Sequence, residues 1–192
     1  MKRYVALLRG INISGKNKIP MIELKQCFER LDYTEVKTYL SSGNVIFSSD
    51  ETDRIKITSQ IEEMIKNQFH LDIPVFIISK EKLEDILHHA PDWWGNENKE
   101  IYDNLVFIIP PATCKDVYNE IGEPKEGLEK IKEYKETVFC SLLTNSTGFL
   151  NSCIMKRQKD DFVLSNTFEA LSAFFFFIYI PLYGIIYLLD RM

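Results

Sequence analysis

Apolar runs of two different periods alternate through the first 80 residues, and their order leaves few folds open. Tyr4 to Leu8 is a short apolar run ended by Arg9-Gly10, which reads as a buried strand. Pro20 suits a first helical position, and Met21, Leu24, Cys27, Phe28 and Leu31 then recur at helical spacing on one face. Val36 to Leu40 and Val45 to Phe47 read as strands joined by the turn residues Ser41-Ser42-Gly43-Asn44. Ile57, Ile61, Met64, Ile65 and Phe69 mark a second amphipathic helix, and Pro74 to Ile78 a fourth strand. The order β-α-β-β-α-β is that of a split-βαβ, ferredoxin-like plait.

The order then partly repeats. Ser79 can cap a helix that buries Leu83, Ile86, Leu87 and Ala90. Asn104 to Ile109 is a strand closed by Pro110-Pro111, a short helix follows through Val117, Tyr118 and Ile121, and Ile131 to Leu143 offers one or two strands. The expected class is α+β: two ferredoxin-like plaits in tandem, residues 1–78 and 74–143, the second incomplete. A polar linker is expected over 144–169, then an aberrant apolar C-terminal helix over 170–189. Residues 170–189 carry no charge, and about 20 helical residues rise about 30 Å, a bilayer's hydrocarbon thickness. Lys156, Arg157 and Lys159 would hold the body on the cytoplasmic side, so the literal reading is a single-pass membrane anchor on a cytoplasmic body.

Charge narrows the partners. The chain carries a net −5, a poor match for duplex DNA, which needs a broad cationic face. Residues 1–25 run against that trend, with Lys2, Arg3, Arg9, Lys16, Lys18 and Lys25 set against Glu23. A basic patch on an acidic body points to a small anionic ligand. Cys27, Cys114, Cys140 and Cys153 have neither metal-ligand nor C-x-x-C spacing, and Cys27 falls on an apolar helix face. His88 and His89 are neighbours on a helix and His70 stands alone, so no metal site is expected, nor any cofactor. Adjacent Trp93 and Trp94 read as packing residues.

The chemistry-bearing segment is Arg9-Gly10-Ile11-Asn12-Ile13-Ser14-Gly15-Lys16-Asn17. It is one residue short of a P-loop, because Asn17 stands where a hydroxyl must hold Mg²⁺. The helix also begins too late to cradle phosphates, and the split-βαβ order conflicts with a parallel P-loop sheet. What remains is a general anion site. Gly10 and Gly15 would open the backbone, Arg9 and Lys16 would neutralise charge, and Asn12 and Asn17 would orient the ligand. Ser41, Ser42, Gly43 and Asn44 are expected on the same rim. A plain loop and a plain hairpin turn are the competing readings. No catalytic signature is complete. The functions left open are a metal-free module binding a nucleotide or short single-stranded nucleic acid, an enzyme acting on a small phosphorylated substrate, and a membrane-anchored interaction protein.

The segments Tyr4-Val5-Ala6-Leu7-Leu8-Arg9-Gly10-Ile11-Asn12, Gly15-Lys16-Asn17-Lys18-Ile19-Pro20-Met21 and Tyr39-Leu40-Ser41-Ser42-Gly43-Asn44-Val45-Ile46-Phe47 resemble a bacterial family known as domain of unknown function 1697. The resemblance is specific over residues 1–50 and extends to about residue 139. It implies two ferredoxin-like plaits and carries no catalytic residues with it. It also implies a polar, basic ending, which here is replaced from about Cys140 by Asn/Ser-rich residues and the Phe-rich run. A reading-frame slip in an A/T-rich gene would give such a tail; a selected anchor is the other reading.

Overall fold

The apolar faces read from the sequence assemble into two antiparallel four-stranded sheets carrying several helices, an α+β architecture. The computed structural model describes residues 1–12, 15–39, 43–95, 98, 100–121, 124–143 and 177–192. The strands are β1 (Lys2–Leu8), β2 (Thr34–Tyr39), β3 (Asn44–Ser49), β4 (Val75–Ser79), β5 (Ile101–Ile108), β6 (Glu129–Tyr134), β7 (Thr137–Leu143) and β8 (Phe177–Pro181). The helices are α1 (Met21–Arg30), α2 (Arg54–Phe69), α3 (Lys80–His88), α4 (Cys114–Ile121) and α5 (Leu182–Arg191).

The chain divides into two compact units, Met1–Asp85 with Ile186–Met192, and Ile86–Ile185. In the first, the sheet order is β2-β3-β1-β4, so β1 is bonded on both sides. Its register with β3 sets Tyr4 against Phe47 and Leu7 against Asn44; its register with β4 sets Leu8 against Val75. One sheet face, with Tyr4, Ala6, Leu8, Val45, Phe47 and Ile77, is packed with Leu24 and Phe28 of α1 and with Ile57, Ile61 and Ile65 of α2. The helical spacing of those residues follows from that burial. Phe28, Tyr33 and Phe47 pack ring on ring, with the Tyr33 and Phe47 centroids 4.6 Å apart. Burial pushes the Tyr33 phenol up to about 12, aided by the charge of Glu51.

Two boundaries refine the expectation. Pro20 is not the first helical residue. It is extended at φ −64° and ψ 125°, helix α1 starts at Met21, and the Pro20 carbonyl accepts the Leu24 N–H at 3.0 Å. Helix α2 is capped by Asp53, whose Oδ1 accepts from the Ile55 N–H at 2.9 Å, and closes at His70 in the left-handed region.

The second unit repeats the neighbour order, as β6-β7-β5-β8. Its core holds Val106, Ile108, Val138, Cys140 and Leu142. Trp94 packs edge-on against Phe139, with ring centroids 5.1 Å apart, and its Nε1–H donates to the Asn104 carbonyl at 3.1 Å. Strand β4 pairs with β1 in the first sheet, and the second sheet draws its fourth strand from the apolar C-terminal segment.

That strand corrects the uninterrupted helix expected over 170–189. Phe177 faces Ile108 and Pro181 faces Asn104 in an antiparallel ladder with β5, and only then does α5 begin. The exposed edge of β5 offers backbone partners that a continuous helix would forgo, and Pro181, without an N–H, sits where the strand ends. Residues 170–176 and the linker expected over 144–169 lie outside the described residues. Among the described residues no helix is long and apolar enough to cross a membrane.

Candidate functional site

The tip of β1 is held from both sides. The Leu8 N–H donates to the Gly43 carbonyl at 2.9 Å, and the Arg9 N–H donates to the Pro74 carbonyl at 3.1 Å. The loop that leaves this tip bends through Gly10 at φ +69°, Asn12 at +54°, Gly15 at +79° and Asn17 at +46°. Positive φ is a glycine or asparagine conformation, which explains these residue types in local terms.

The asparagine amides hold the loop in shape. Asn12 Nδ2–H donates to the Ile19 carbonyl at 2.9 Å, and Asn12 Oδ1 accepts the Ile19 N–H at 2.8 Å. Asn17 Nδ2–H donates to the Gly10 carbonyl at 2.9 Å, and the Asn17 carbonyl accepts the Asn12 N–H at 3.1 Å. Ile11 and Ile19 are buried in the core of the first unit and pin the two ends of the loop. The sequence assigned Asn12 and Asn17 to a ligand; the structure uses these amide groups to brace the loop.

The hairpin turn does reach this loop. A Cβ on Gly43 would lie 2.8 Å from Ile11 Cδ1 and 2.9 Å from Leu8 Cβ, so the turn packs directly on the loop's apolar anchor. Asn44 pairs with Leu7 and donates from Nδ2 to the Tyr39 carbonyl at 3.4 Å. Gly10, Asn12, Asn17, Gly43 and Asn44 therefore sit around the tip of β1. Ser41 and Ser42 lie outside the described residues. Gly15, Lys16 and Lys18 are exposed, whereas Arg9 is half-buried with its Nη1 atom buried. Reading the sequence for polar groups missed Ile11 and Leu8, the apolar seat on which the two loops meet. The available signal was a lone isoleucine between Gly10 and Asn12.

Among the described residues the thiols of Cys27, Cys114 and Cys140 do not compete as nucleophiles. Burial pushes Cys140 up to about 12, and burial together with a Glu133 hydrogen bond does the same to Cys114. Burial also raises Cys27. A protonated thiol is a weak nucleophile and a poor metal ligand. Among the described residues no group of His, Cys, Asp and Glu could hold a metal ion.

Comparison with known proteins places this geometry. The chain is similar in structure to the conserved bacterial protein SP0830 from Streptococcus pneumoniae, with a TM-score of 0.74 and 20% sequence identity, over 99% of this chain and 98% of that one. At that identity the likeness is one of fold. No curated protein matches the sequence. The model of a family described as a protein of unknown function, DUF1697, matches residues 1–139, which take in both loops at the tip of β1, and the chain belongs to that family.

Proposed function

We propose that the protein is a metal-free anion-binding module whose ligand, a nucleotide or a short single-stranded nucleic acid, binds at the loop of residues 9–17. The observation that carries this reading is the seating of Gly43 on Ile11 and Leu8, which brings the hairpin to the loop. Left-handed glycines turn backbone amides toward one side, as anion-binding nests require. The Asn12 and Asn17 braces fix the loop before a ligand arrives, which lowers the ordering cost of binding. Arg9 and Lys16 supply the charge, and Ser41 and Ser42 supply hydroxyls from the hairpin.

The same reading takes each sheet with its helices as a ferredoxin-like plait. The matching neighbour orders β2-β3-β1-β4 and β6-β7-β5-β8 favour it. In such a fold the loop after the first strand and the hairpin between the second and third strands share one rim.

The test titrates the full chain with a mononucleotide and with a short single-stranded oligonucleotide. Saturable binding is expected, weakened about tenfold by Lys16→Glu and by Arg9→Ala, since each removes a charge-assisted contact. Lys16 is exposed, so its substitution leaves the fold intact. Affinity unchanged in both variants would discard the reading.

A further inference from the structure

The first unit contains a cavity of about 280 Å³ that, among the described residues, shares none with the loop of residues 9–17. Four elements line it: α1 contributes Lys25, β2 contributes Val36, Lys37, Thr38 and Tyr39, β3 contributes Ile46, and the last turn of α5 contributes Arg191. Val36 and Ile46, both almost fully buried, form an apolar side. Among the described residues no acidic residue lines it. We propose that this cavity is a second ligand site, which takes a small phosphate-bearing molecule.

Three cationic side chains line one concavity, without a carboxylate among the described lining residues. Lys25 shares its charge with Glu29 at 3.6 Å, on the same helix face. Lys37 has no ion-pair partner among the described residues. A concavity whose charged lining is cationic favours an anion within it. Phosphate suits the arrangement because it accepts charge-assisted hydrogen bonds from several directions, and the Arg191 guanidinium presents a planar fork to it. The hydroxyls of Thr38 and Tyr39 are further donors.

The apolar side selects among phosphates. Val36, Ile46 and the Tyr39 ring can cover an organic body, which free phosphate lacks. The volume lies at the small end of ligand pockets, which run from about 300 Å³ upward, so the occupant is a phosphomonoester with a compact organic group. Lys25 and Lys37 lie twelve residues apart and Arg191 is at the far end of the chain, so no sequence motif marks the site.

The experiment is calorimetric titration of the full chain at low ionic strength, with inorganic phosphate and with phenyl phosphate as probes. Saturable binding of phenyl phosphate tighter than that of inorganic phosphate is expected. Lys37→Glu and Arg191→Glu should each weaken it about tenfold or more. Both residues are exposed, and thermal melting of the variants checks that the fold persists. Lys82→Glu, the same charge change at an exposed helix residue outside both sites, should leave phenyl phosphate binding unchanged, and the loop is read separately through mononucleotide binding by Lys16→Glu, so the two sites fail separately. Absence of saturation up to about 10 mM, a Kd that corresponds to less than about 3 kcal/mol of binding, would overturn the proposal. So would an affinity indifferent to both Lys37→Glu and Arg191→Glu. Equal affinity for the two probes would overturn the selection by the apolar side.

Discussion

Gly43 lies so close to Ile11 that a single added carbon on the glycine would sit 2.8 Å from Ile11 Cδ1, while the Gly43 carbonyl accepts the Leu8 N–H at 2.9 Å. The hairpin turn is thus tied to the strand tip by a hydrogen bond and pressed on it by a van der Waals contact. A side chain at this position would force Ile11, Leu8 or the turn itself to shift.

Gly43→Ala should therefore cost about 2–4 kcal/mol, from left-handed strain and from overpacking together. Gly10→Ala supplies the control. Gly10 is also left-handed, at φ +69°, but a Cβ there meets nothing within 4 Å, so about 1 kcal/mol is expected. Urea denaturation of both variants measures the difference. Equal losses would mean that Ile11 yields freely.

Asn12→Ala should release the loop. It removes both hydrogen bonds to Ile19, each worth about 1 kcal/mol, and leaves alanine at φ +54°. Asn12→Asp keeps the acceptor for the Ile19 N–H and loses the donor. Amide hydrogen exchange at Ile19 should accelerate strongly in the first variant and less in the second.

Acid should weaken the first unit through Glu51. The Lys56 ammonium, then the backbone N–H groups of Asp53 and Thr52, hold its carboxyl down from 4.5 to about 2. A depressed carboxylate stabilises the fold fully above its unfolded value. That stabilisation fades as the pH falls from about 4.5 toward about 2. Glu51→Gln should flatten the stability profile across this window, as read by denaturation midpoints at a series of pH values.

Asn104→Val should stabilise the second unit by about 1 kcal/mol. Asn104 is 2% exposed on a doubly paired strand, its Nδ2 has no hydrogen-bond partner among the described residues, and it faces the buried Cys140 across the ladder. A β-branched apolar residue removes the unsatisfied donor and suits the strand. A fall in thermal midpoint would show that the amide has a role in the native state.

The first sheet was legible because its periodicities are unambiguous. Leu24, Cys27 and Phe28 repeat at helical spacing, and Val45 to Phe47 follow turn residues at once. The segment around Phe177 was not legible. An apolar run reads alike as a strand covered on both faces or as a membrane helix, and its length favoured the helix. Only the register with β5 separates the two. At the candidate site, the glycines were legible from the conformation they permit. The use of Asn12 was not, because its partner is seven residues away and is a backbone group that any residue would carry. The cavity at Lys25, Lys37 and Arg191 was hidden for the same reason on a larger scale: its residues meet only after the chain has folded.

The bonds from Leu8 to Gly43 and from Arg9 to Pro74 also decide where the loop of residues 9–17 can flex. With neighbours clamped on either flank, the stem behaves as a fixed abutment through residue 9, and the earliest joint able to swing is Gly10. Any loosening of the Asn12 and Asn17 braces would be felt beyond that joint and would leave the sheet beneath it still.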